Sequence, residues 1–377
     1  METIISIRPL IAVLASLLVI PFIMASHRSP NIREAWTLAA AALKFLVIVT
    51  MVPIVLGGAE LEYTIARVLP GYGIQLRVDA LGMIFGLVSS SLWIVTSLYS
   101  VGYMRGLQEH AQTRYYCFFA LSLSATVGVA FSANLLTMYL FYEMLSLSTY
   151  PLVTHHQDSE ARSSGRKYLF FILGTSIGMV LPAMIFIAYK TGTLDFASQG
   201  IVTNRIGPQA VAILLLLFIF GFAKAAIMPF HAWLPAAMVA PTPVSALLHA
   251  VAVVKVGVFC IIRMITGIFG TELLTSLDLS TIVCIIAAFT ILVSSLIALS
   301  QDGLKRRLAF STIGQLSYIV LGVALLSKSG MVGSMLHIAM HAFGKITLFF
   351  CAGAIFVATG VKNVSQMVGI GRRMPFT

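Results

Sequence analysis

The stretch GFAKAAIMP, residues 221–229, places a lysine five residues before a proline inside an apolar segment. Pro229 has no N–H group and its ring clashes with the carbonyl of Ala225, so a helix kinks or breaks there. A broken helix at membrane depth is tolerated only where protein buries it or water lines it. The stretch therefore predicts a broken membrane helix with Lys224 at a polar, buried spot. The structural alternative is a lysine that reaches the interface from near the helix end.

The composition of the whole chain is that of a membrane protein. Of its 377 residues, 59% are hydrophobic and 10% are charged, whereas soluble domains carry about 25% charged residues. Apolar stretches of about 17–25 residues, each long enough to span a bilayer, recur along the chain. We therefore predict an all-α polytopic membrane protein with about eleven transmembrane helices. The predicted spans lie near residues 9–26, 36–57, 80–100, 115–132, 134–154, 167–189, 209–228, 242–265, 279–299, 308–326 and 331–357.

The positive charge of the chain sets its predicted orientation. A net charge of +11 could indicate nucleic-acid binding, but the excess Lys and Arg lie in short loops between apolar segments, where they fix topology. With the N-terminus outside, thirteen basic residues fall in inward loops and six in outward loops. We expect a multi-pass protein of the inner (plasma) membrane, with the N-terminus outside, the C-terminus cytoplasmic and no nucleic-acid partner. The polar loops 58–79 and 190–208 are long enough to hold short amphipathic pieces.

Glu143, Lys255 and Lys345 are further ionisable residues inside apolar segments. A charge at the bilayer centre costs about 2.5–3.5 kcal/mol, so such residues indicate an ion or proton path by default. Glu143 is the only carboxylate deep in a predicted helix, and we expect it to pair with Lys224 as a gate for proton transfer. A permanently protonated, structural Glu143 is the alternative. Lys255 lies too deep in its segment to reach the interface easily.

His337, His341 and Lys345 are spaced i, i+4 and i+8, so they line one face of a helix. Histidines titrate near neutrality, which favours a proton relay. Histidines satisfied within the core are the alternative, and a metal site would need further ligands. Lys44, about eight residues into its segment, is interpreted as reaching the interface. Lys305 either sets topology or contributes to an inner entry route.

The segment 229–243 is rich in proline and carries His231. Its three prolines in residues 235–243 forbid a regular helix, so we predict a rigid, irregular connector. The following helix would carry His249 and Lys255, which point roughly 120° apart. No cofactor or metal motif accompanies these residues: the four cysteines are scattered singly, and Walker A and GxGxxG patterns are absent. We expect transport energy to come from an ion gradient or a partner, and any electron transfer to occur on another subunit.

Five stretches together resemble a known family. They read FYEM at 141–144, PFHAWLP at 229–235, APTPVSALLH at 240–249, LKRRLAFSTIGQLSY at 304–318 and HIAMHAFGK at 337–345. From about residue 75 onward, the chain is similar to the antiporter-like subunits of respiratory complex I (NADH-quinone oxidoreductase), of Mrp-type cation/proton antiporters and of membrane-bound hydrogenases. Within that family it most resembles the Mrp D-type branch.

The resemblance implies two inverted five-helix repeats, each with a broken helix. Glu143 matches the family glutamate on the fifth helix, and Lys224 the lysine on the first broken helix. His249 and Lys255 fall on the eighth helix, and the histidine–lysine series on the eleventh. We expect N-terminal helices over residues 1–110, a first repeat over 111–265 and a partial second repeat over 266–377, whose own broken helix would follow Thr377.

The residues and the resemblance together predict a proton- or sodium/proton-translocating subunit of a multisubunit complex I-like or Mrp-type membrane complex. Ions would move along the buried Glu, Lys and His side chains, with other membrane subunits as partners. We do not expect the chain to be catalytic alone. Two alternatives are a stand-alone secondary transporter, which needs a substrate site at the midplane between complete repeats, and a non-transporting scaffold subunit.

Overall fold

The computed structural model describes residues 2–202, 206–247 and 252–377, including the side chains of all of them except Leu69. His249 lies outside the described residues, so its role stays a prediction. The predicted all-α membrane fold is confirmed, with one small sheet added. The elements are β1 Thr3–Ile5, α1 Arg8–Leu17, α2 Ile20–Ala25, α3 Pro30–Val49, α4 Val52–Leu56, β2 Glu60–Leu69, β3 Tyr72–Val78, α5 Ala80–Gly106, α6 Gln112–Ala130, α7 Leu135–Val153, α8 Ser159–Thr175, α9 Leu181–Thr191, α10 Pro208–Gly221, α11 Trp233–Ala236, α12 Thr242–Ala246, α13 Val253–Arg263, α14 Thr271–Ser276, α15 Ser280–Ser300, α16 Leu304–Ala324, α17 Lys328–Thr359 and α18 Ile370–Arg373.

Seven helical segments of the described part are long and apolar enough to span a membrane. Several prolines lie in the first turn of a helix, where the missing N–H group costs nothing; Pro21 and Pro53 begin α2 and α4 in this way. The predicted total of eleven spans stays a prediction. The seven segments are Arg8–Ala25, Pro30–Leu56, Ala80–Gly106, Ser159–Thr191, Ser280–Ser300, Leu304–Ala324 and Lys328–Thr359.

A three-stranded sheet covers one end of the helices. β1 pairs with β2 in parallel, and β2 pairs with β3 in antiparallel fashion. The backbone N–H of Arg77 in β3 donates to the carbonyl of Phe131, just beyond α6, at 2.6 Å. We call this end the sheet face. The prediction of amphipathic pieces in the 58–79 loop missed this sheet, because a hairpin is stabilised by cross-strand pairing that a scan for spanning segments does not detect.

The opposite end of the molecule, which we call the cavity face, consists of the loops 107–111, 154–158 and 301–303. Imidazole Nε2 of His110 in the first loop donates to the carbonyl of His155 in the second, at 3.0 Å. Gly303 of the third loop and Glu109 and His156 of the other two line one common cavity. Helices α5, α6 and α7 each run between the two faces.

The predicted helix break is confirmed, but it begins earlier than the proline. Helix α10 ends at Gly221, a single 3₁₀ turn covers Ala223–Ala225, and Ala226 adopts a left-handed conformation with φ of 56°. The predicted span 209–228 therefore ends as a helix seven residues early. Lys224 lies in the break itself and not in a helix that precedes it.

Helix α13 runs through the centre of the molecule, since all of its eleven residues are buried. It touches the break at Gly257, where a Cβ atom would lie 2.1 Å from the backbone nitrogen of Ala225. Glycine is required at this close approach. The contact brings the helix that carries Lys255 against the break that carries Lys224.

Candidate functional site

Lys224 is fully buried, which excludes the alternative of a lysine at the membrane interface. Its ammonium donates to the carbonyl oxygen of Tyr142 at 2.6 Å and to Oγ of Ser146 at 2.7 Å, both on α7. It also lies 3.1 Å from the centroid of the Tyr142 ring. Residues 142 and 146 share one face of α7 because they are one turn apart. The protein itself thus takes the place of water around this charge.

Glu143 does not form the predicted direct pair with Lys224. Both carboxyl oxygens are buried, and neither has a hydrogen-bond or ion-pair partner within residues 2–202, 206–247 and 252–377. Successive residues of a helix point about 100° apart, so the side chain of Glu143 leaves α7 in a different direction from the face on which Tyr142 and Ser146 hold the lysine. A buried carboxyl group without a partner either carries a proton or binds a cation.

Lys255 and His341 meet, although 86 positions separate them in the chain. The side-chain nitrogen of Lys255 on α13 lies 2.5 Å from Nδ1 of His341 on α17. Both side chains are buried. The two nitrogens lie within hydrogen-bonding distance, so a proton can pass directly between the two groups.

The predicted common face of His337, His341 and Lys345 is present on α17. The rings of His337 and His341 stack with centroids 6.0 Å apart, and Nε2 of His337 donates to Oε1 of Gln315 at 2.8 Å. The ammonium of Lys345 donates to Oγ of Ser311 at 2.8 Å and to the carbonyl of Leu308 at 3.4 Å. These partners belong to α16, so the histidine–lysine face lies between α13 and α16.

A cavity of about 1010 Å³ opens at the cavity face. Lys305 lies in its wall, and its ammonium donates to the carbonyl of Ala240 in the proline-rich connector at 2.6 Å. The other charged and titratable groups of the lining include Glu109, His156, Lys167, His231 and Lys362. Both of the secondary candidates from the sequence, His231 and Lys305, therefore line one water-accessible space.

The connector joins this cavity to the helix break. Trp233 is buried, and its indole N–H donates at 2.9 Å to the carbonyl of Ala223, the residue before Lys224. His231, two residues earlier, lines the cavity. The irregular backbone predicted from the prolines consists of the short turns α11 and α12 with a 3₁₀ turn between them at Ala237–Val239.

Lys44 corrects the sequence-based interpretation of a lysine at the interface. It is fully buried, because α1 and α6 both pack against α3 and cover it. Its ammonium donates to Oγ of Ser16 at 2.6 Å and to the carbonyl of Leu123 at 3.0 Å. The ring of Trp93 lies 5.3 Å away. Nothing in the sequence around Lys44 indicates these partners, since they come from two other helices.

An ion pair at the sheet face holds the far end of α13. The two outer nitrogens of the Arg263 guanidinium contact the two carboxylate oxygens of Asp79, at 2.5 and 2.6 Å. Asp79 also caps α5 by accepting a hydrogen bond from the backbone N–H of Gly82 at 2.8 Å. Burial by itself raises the pKa of Asp79, but the charge and hydrogen bonds of Arg263 outweigh it and hold the pKa below its usual value.

The helix break, the buried lysines and the cavity together match one class of membrane protein. Residues 132–377 match the family described as NADH:quinone oxidoreductase/Mrp antiporter, TM. The chain belongs to this family, as the sequence resemblance predicted, and it is a multi-pass membrane protein.

Two curated relatives are subunits of cation/proton antiporters. The chain is 32% identical over 352 residues to the A/B subunit of a probable K(+)/H(+) antiporter of Rhizobium meliloti (strain 1021), in a match that covers 91% of this chain and 34% of the relative. It is 30% identical over 365 residues to the A1 subunit of a Na(+)/H(+) antiporter of Staphylococcus aureus, in a match that covers 92% of this chain and 45% of the relative. The chain thus spans about a third to somewhat under half of the length of these relatives. The narrower expectation of a D-type subunit has no support from them and stays a prediction.

Two solved complexes contain chains of the same fold. One is the membrane-bound sulfane sulfur reductase (MBS), an archaeal respiratory membrane complex, with a TM-score of 0.87, 25% identity and coverage of 98% of this chain and 75% of that chain. The other is the Mrp complex from Dietzia sp. DQ12-45-1b, with a TM-score of 0.85, 23% identity and coverage of 97% of this chain and 67% of that chain. The second likeness shows the fold alone.

Proposed function

We propose that the chain is a proton- or sodium/proton-translocating membrane subunit of a multisubunit complex I-like or Mrp-type complex. The observation that carries the proposal is the hydrogen bond between Lys255 and His341. It connects α13, which touches the break around Lys224, to the histidine–lysine face of α17. In this proposal, buried titratable groups from distant parts of the chain act as one series across the protein.

The proposed route begins in the cavity, with Lys305 and His231 in its wall. The connector leads from there to Lys224 in the break, where Glu143 supplies a carboxyl group that accepts a proton or a cation. Transfer continues to Lys255 and then along α17, and His249 is retained as a further candidate on the sequence argument alone. Each lysine charge would bias the protonation of the next group by Coulomb interaction.

On α17 the transfer passes from His341 to Lys345, with His337 on the same face. The ammonium of Lys345 is held by Ser311 and a carbonyl of α16. The repeat boundaries predicted from the sequence, 111–265 and 266–377, place Lys224 and Lys255 in the first repeat and this relay in the second. The Lys255–His341 contact is then the junction between the repeats.

The transported ions in this proposal are H⁺ together with Na⁺ or another monovalent cation, and the partners are other membrane subunits. The support comes from the two curated relatives, which are named as K(+)/H(+) and Na(+)/H(+) antiporter subunits. The loops of the cavity face are among those that the positive-inside count assigns to the cytoplasm. The proposal therefore includes the inner (plasma) membrane, a cytoplasmic cavity and an N-terminus outside. Any redox catalysis belongs to the complex and not to this chain alone.

The test is ion flux in vesicles that contain the assembled complex. A pH-sensitive dye in the lumen reports proton movement when Na⁺, K⁺ or choline is added outside, and this comparison also identifies the cation. We expect Glu143→Ala, Lys255→Ala and His341→Ala each to abolish coupled flux. The double variant Lys255→Ala with His341→Ala should lose no more than either single variant, because the two groups act as one contact.

His27→Gln is the matched control, because His27 is exposed in the turn between α2 and α3 and belongs neither to the series nor to the lining of the cavity. Assembly of every variant is checked by size-exclusion chromatography and immunoblotting of the partner subunits. Wild-type flux in an assembled Glu143→Ala or Lys255→Ala complex would overturn the proposed route. Flux by the purified chain without partners would instead favour a stand-alone transporter.

A further inference from the structure

Two loops of the cavity face bring together three side chains that the proposed route does not use as carriers. Glu109 and His110 lie in loop 107–111, and His155 lies in loop 154–158. One ligand-capable atom from each of the three lies within 4.8 Å of the other two. Because 45 positions separate His110 from His155, a search for metal motifs at short spacing does not find this cluster.

His155 is the residue that most needs a ligand. Its side chain is fully buried, and neither ring nitrogen has a hydrogen-bond partner in the part of the chain that the structure describes. A buried polar group left without a partner destabilises the folded protein. Oε2 of Glu109 lies 3.7 Å from Nε2, which is beyond hydrogen-bonding distance. A cation between these two atoms would bind both.

One ring nitrogen of His110 is held by a hydrogen bond to the protein backbone. Its Nε2 faces the carbonyl of His155 at 3.0 Å, and a carbonyl only accepts, so this nitrogen carries the proton. The lone pair of the neutral ring is therefore on Nδ1. Metal-binding histidines commonly donate their other N–H group to a carbonyl in this way, which fixes the tautomer. Arg114 donates to the same carbonyl at 2.8 Å and also holds it in place.

A fourth donor stands beside the three. Nε2 of His156 lies 3.3 Å from Oε1 of Glu109, and both residues line the cavity. A tetrahedral site with metal–ligand bonds of about 2.0–2.1 Å needs ligand atoms roughly 3.3 Å apart. Glu109 is only half-buried, so rotation of its side chain can bring the carboxylate closer to the histidines.

We propose that Glu109, His110 and His155, with His156 as the fourth ligand, form a site for a divalent transition metal of the Zn²⁺ class at the lip of the cavity. Imidazole with one carboxylate suits Zn²⁺ and its neighbours in the series, whereas Mg²⁺ and Ca²⁺ take oxygen ligands. The single carboxylate neutralises part of the ion's charge. This matters because the positively charged Arg114 and Lys305 lie nearby and repel a cation. This assignment revises the expectation from sequence that the chain holds no metal.

The metal site also has a consequence for transport, and only this part depends on the proposed function. Glu109 and His156 line the cavity next to Lys305. A bound ion would fix both side chains and add positive charge at the mouth of the route. Zn²⁺ on the cavity side should therefore inhibit ion flux.

Metal binding is tested without any transport assay. Co²⁺ is titrated into the purified complex, and the ligand-field absorption of tetrahedral Co²⁺ is recorded, followed by displacement with Zn²⁺. We expect one Co²⁺ per chain in the wild type, and affinity lowered at least about 10-fold by His110→Gln or His155→Gln. His27→Gln should bind as the wild type does. Glu109→Gln keeps the shape of the side chain but removes its charge, so it should also weaken binding.

Each outcome of these measurements either supports or rejects the metal site. Absence of stoichiometric binding in the wild type, or wild-type affinity in both His110→Gln and His155→Gln, would overturn the site. If the His155 variant fails to assemble, the exposed His110 variant and the wild-type titration still give the answer. Binding without inhibition of flux would reject the link to transport and keep the site, so failure of the proposed function is recognised separately.

Discussion

Lys224 and Lys345 lie on different helices, yet each ammonium is held by one backbone carbonyl and one serine hydroxyl. For Lys224 these come from α7, with Ser146 as the serine. For Lys345 they come from α16, with Ser311 as the serine. Hydroxyls and carbonyls accept hydrogen bonds from an ammonium and also from a neutral amine. Either lysine can therefore lose a proton without leaving a polar neighbour unpaired.

The two sites differ in what stands beside this common arrangement. Lys224 is fully buried in a helix break, next to the unpartnered carboxyl group of Glu143. Lys345 is 5% exposed, lies within the continuous 32-residue helix α17, and has an imidazole one turn away at His341. Solvation of the ammonium by a serine and a carbonyl is therefore common to both sites. The neighbouring carboxyl or imidazole group determines where each lysine can pass a proton.

Lys44 provides the strongest test of the difference between the two lysine sites. It has the same solvation, from Ser16 and the carbonyl of Leu123, without a carboxyl or imidazole among its partners. We expect Lys224→Met to reduce coupled flux in vesicles by about 100-fold or more, as for loss of a general acid–base group. Lys345→Met should lose less, because the imidazole of His341 remains one turn away on the same helix. Lys44→Met should keep the wild-type flux.

The assembled complex must be shown for all three methionine variants, by co-purification of the partner subunits. If Lys44→Met loses as much flux as Lys224→Met, the solvation pattern itself and not the neighbouring group marks a transfer site. The distinction between the two lysine sites would then fail.

The glycines next to the two sites give the second largest effect. A Cβ atom on Gly257 would lie 2.1 Å from the nitrogen of Ala225 and 2.3 Å from the carbonyl carbon of Lys224. Backbone atoms cannot yield as a flexible side chain does, so Gly257→Ala should cost about 3 kcal/mol or more of unfolding free energy. Gly344, beside Lys345, has open space within 4 Å, and Gly344→Ala should stabilise α17 by about 0.5–1 kcal/mol.

Thermal unfolding of the purified chain in detergent measures both variants under identical conditions. A Gly257→Ala protein as stable as the wild type would mean that α13 and the break do not touch as described. The structural difference between the Lys224 site, held at a helix break, and the Lys345 site, on a continuous helix, would then be rejected.

The sequence was sufficient for the features that depend on local pattern. The length of the apolar segments predicted most of the spans. The prolines predicted the broken helix and the irregular connector. The i, i+4, i+8 spacing predicted the shared face of α17. Residues 222–228 were predicted to be helical and are not. The helix ends at Gly221, and Ala226 in the break takes a left-handed conformation. Proline indicates that a break exists and not where it begins.

Features that depend on packing could not be predicted from one sequence. The Lys255–His341 contact joins residues 86 positions apart. Glu143 was expected to face Lys224, but the adjacent residue, Tyr142, provides the carbonyl. Lys44 was expected at the interface because hydropathy does not reveal that two neighbouring helices cover it. In each case the deciding partner lies on another helix, which spacing along one helix cannot identify.

The serines test the solvation directly, with a smaller effect. Ser146→Ala removes one hydrogen bond to an ammonium, and such bonds contribute about 1.5–3 kcal/mol. Ser146 is fully buried, so water does not replace the lost oxygen. Ser311 is half-buried, and water can replace it, so Ser311→Ala should cost clearly less. The midpoints of thermal unfolding give this order, and equal costs would contradict the difference in water access.

We expect the smallest effect from loss of the ion pair between Asp79 and Arg263. This pair anchors α13, which packs against the helix break, so it concerns only the Lys224 site. Arg263 holds the pKa of Asp79 below its usual value, so on acidification the unfolded chain takes up this proton first. The stabilisation is thus fully present above about pH 4 and is lost as the pH falls through the lowered folded-state pKa. Asp79→Asn should cost about 1 kcal/mol near neutrality, and the difference in unfolding temperature between variant and wild type should shrink in acid. A difference that stays constant down to about pH 3 would mean that the asparagine loses the cap of α5 and not the charge pair, and the anchoring of α13 would then rest on its packing alone.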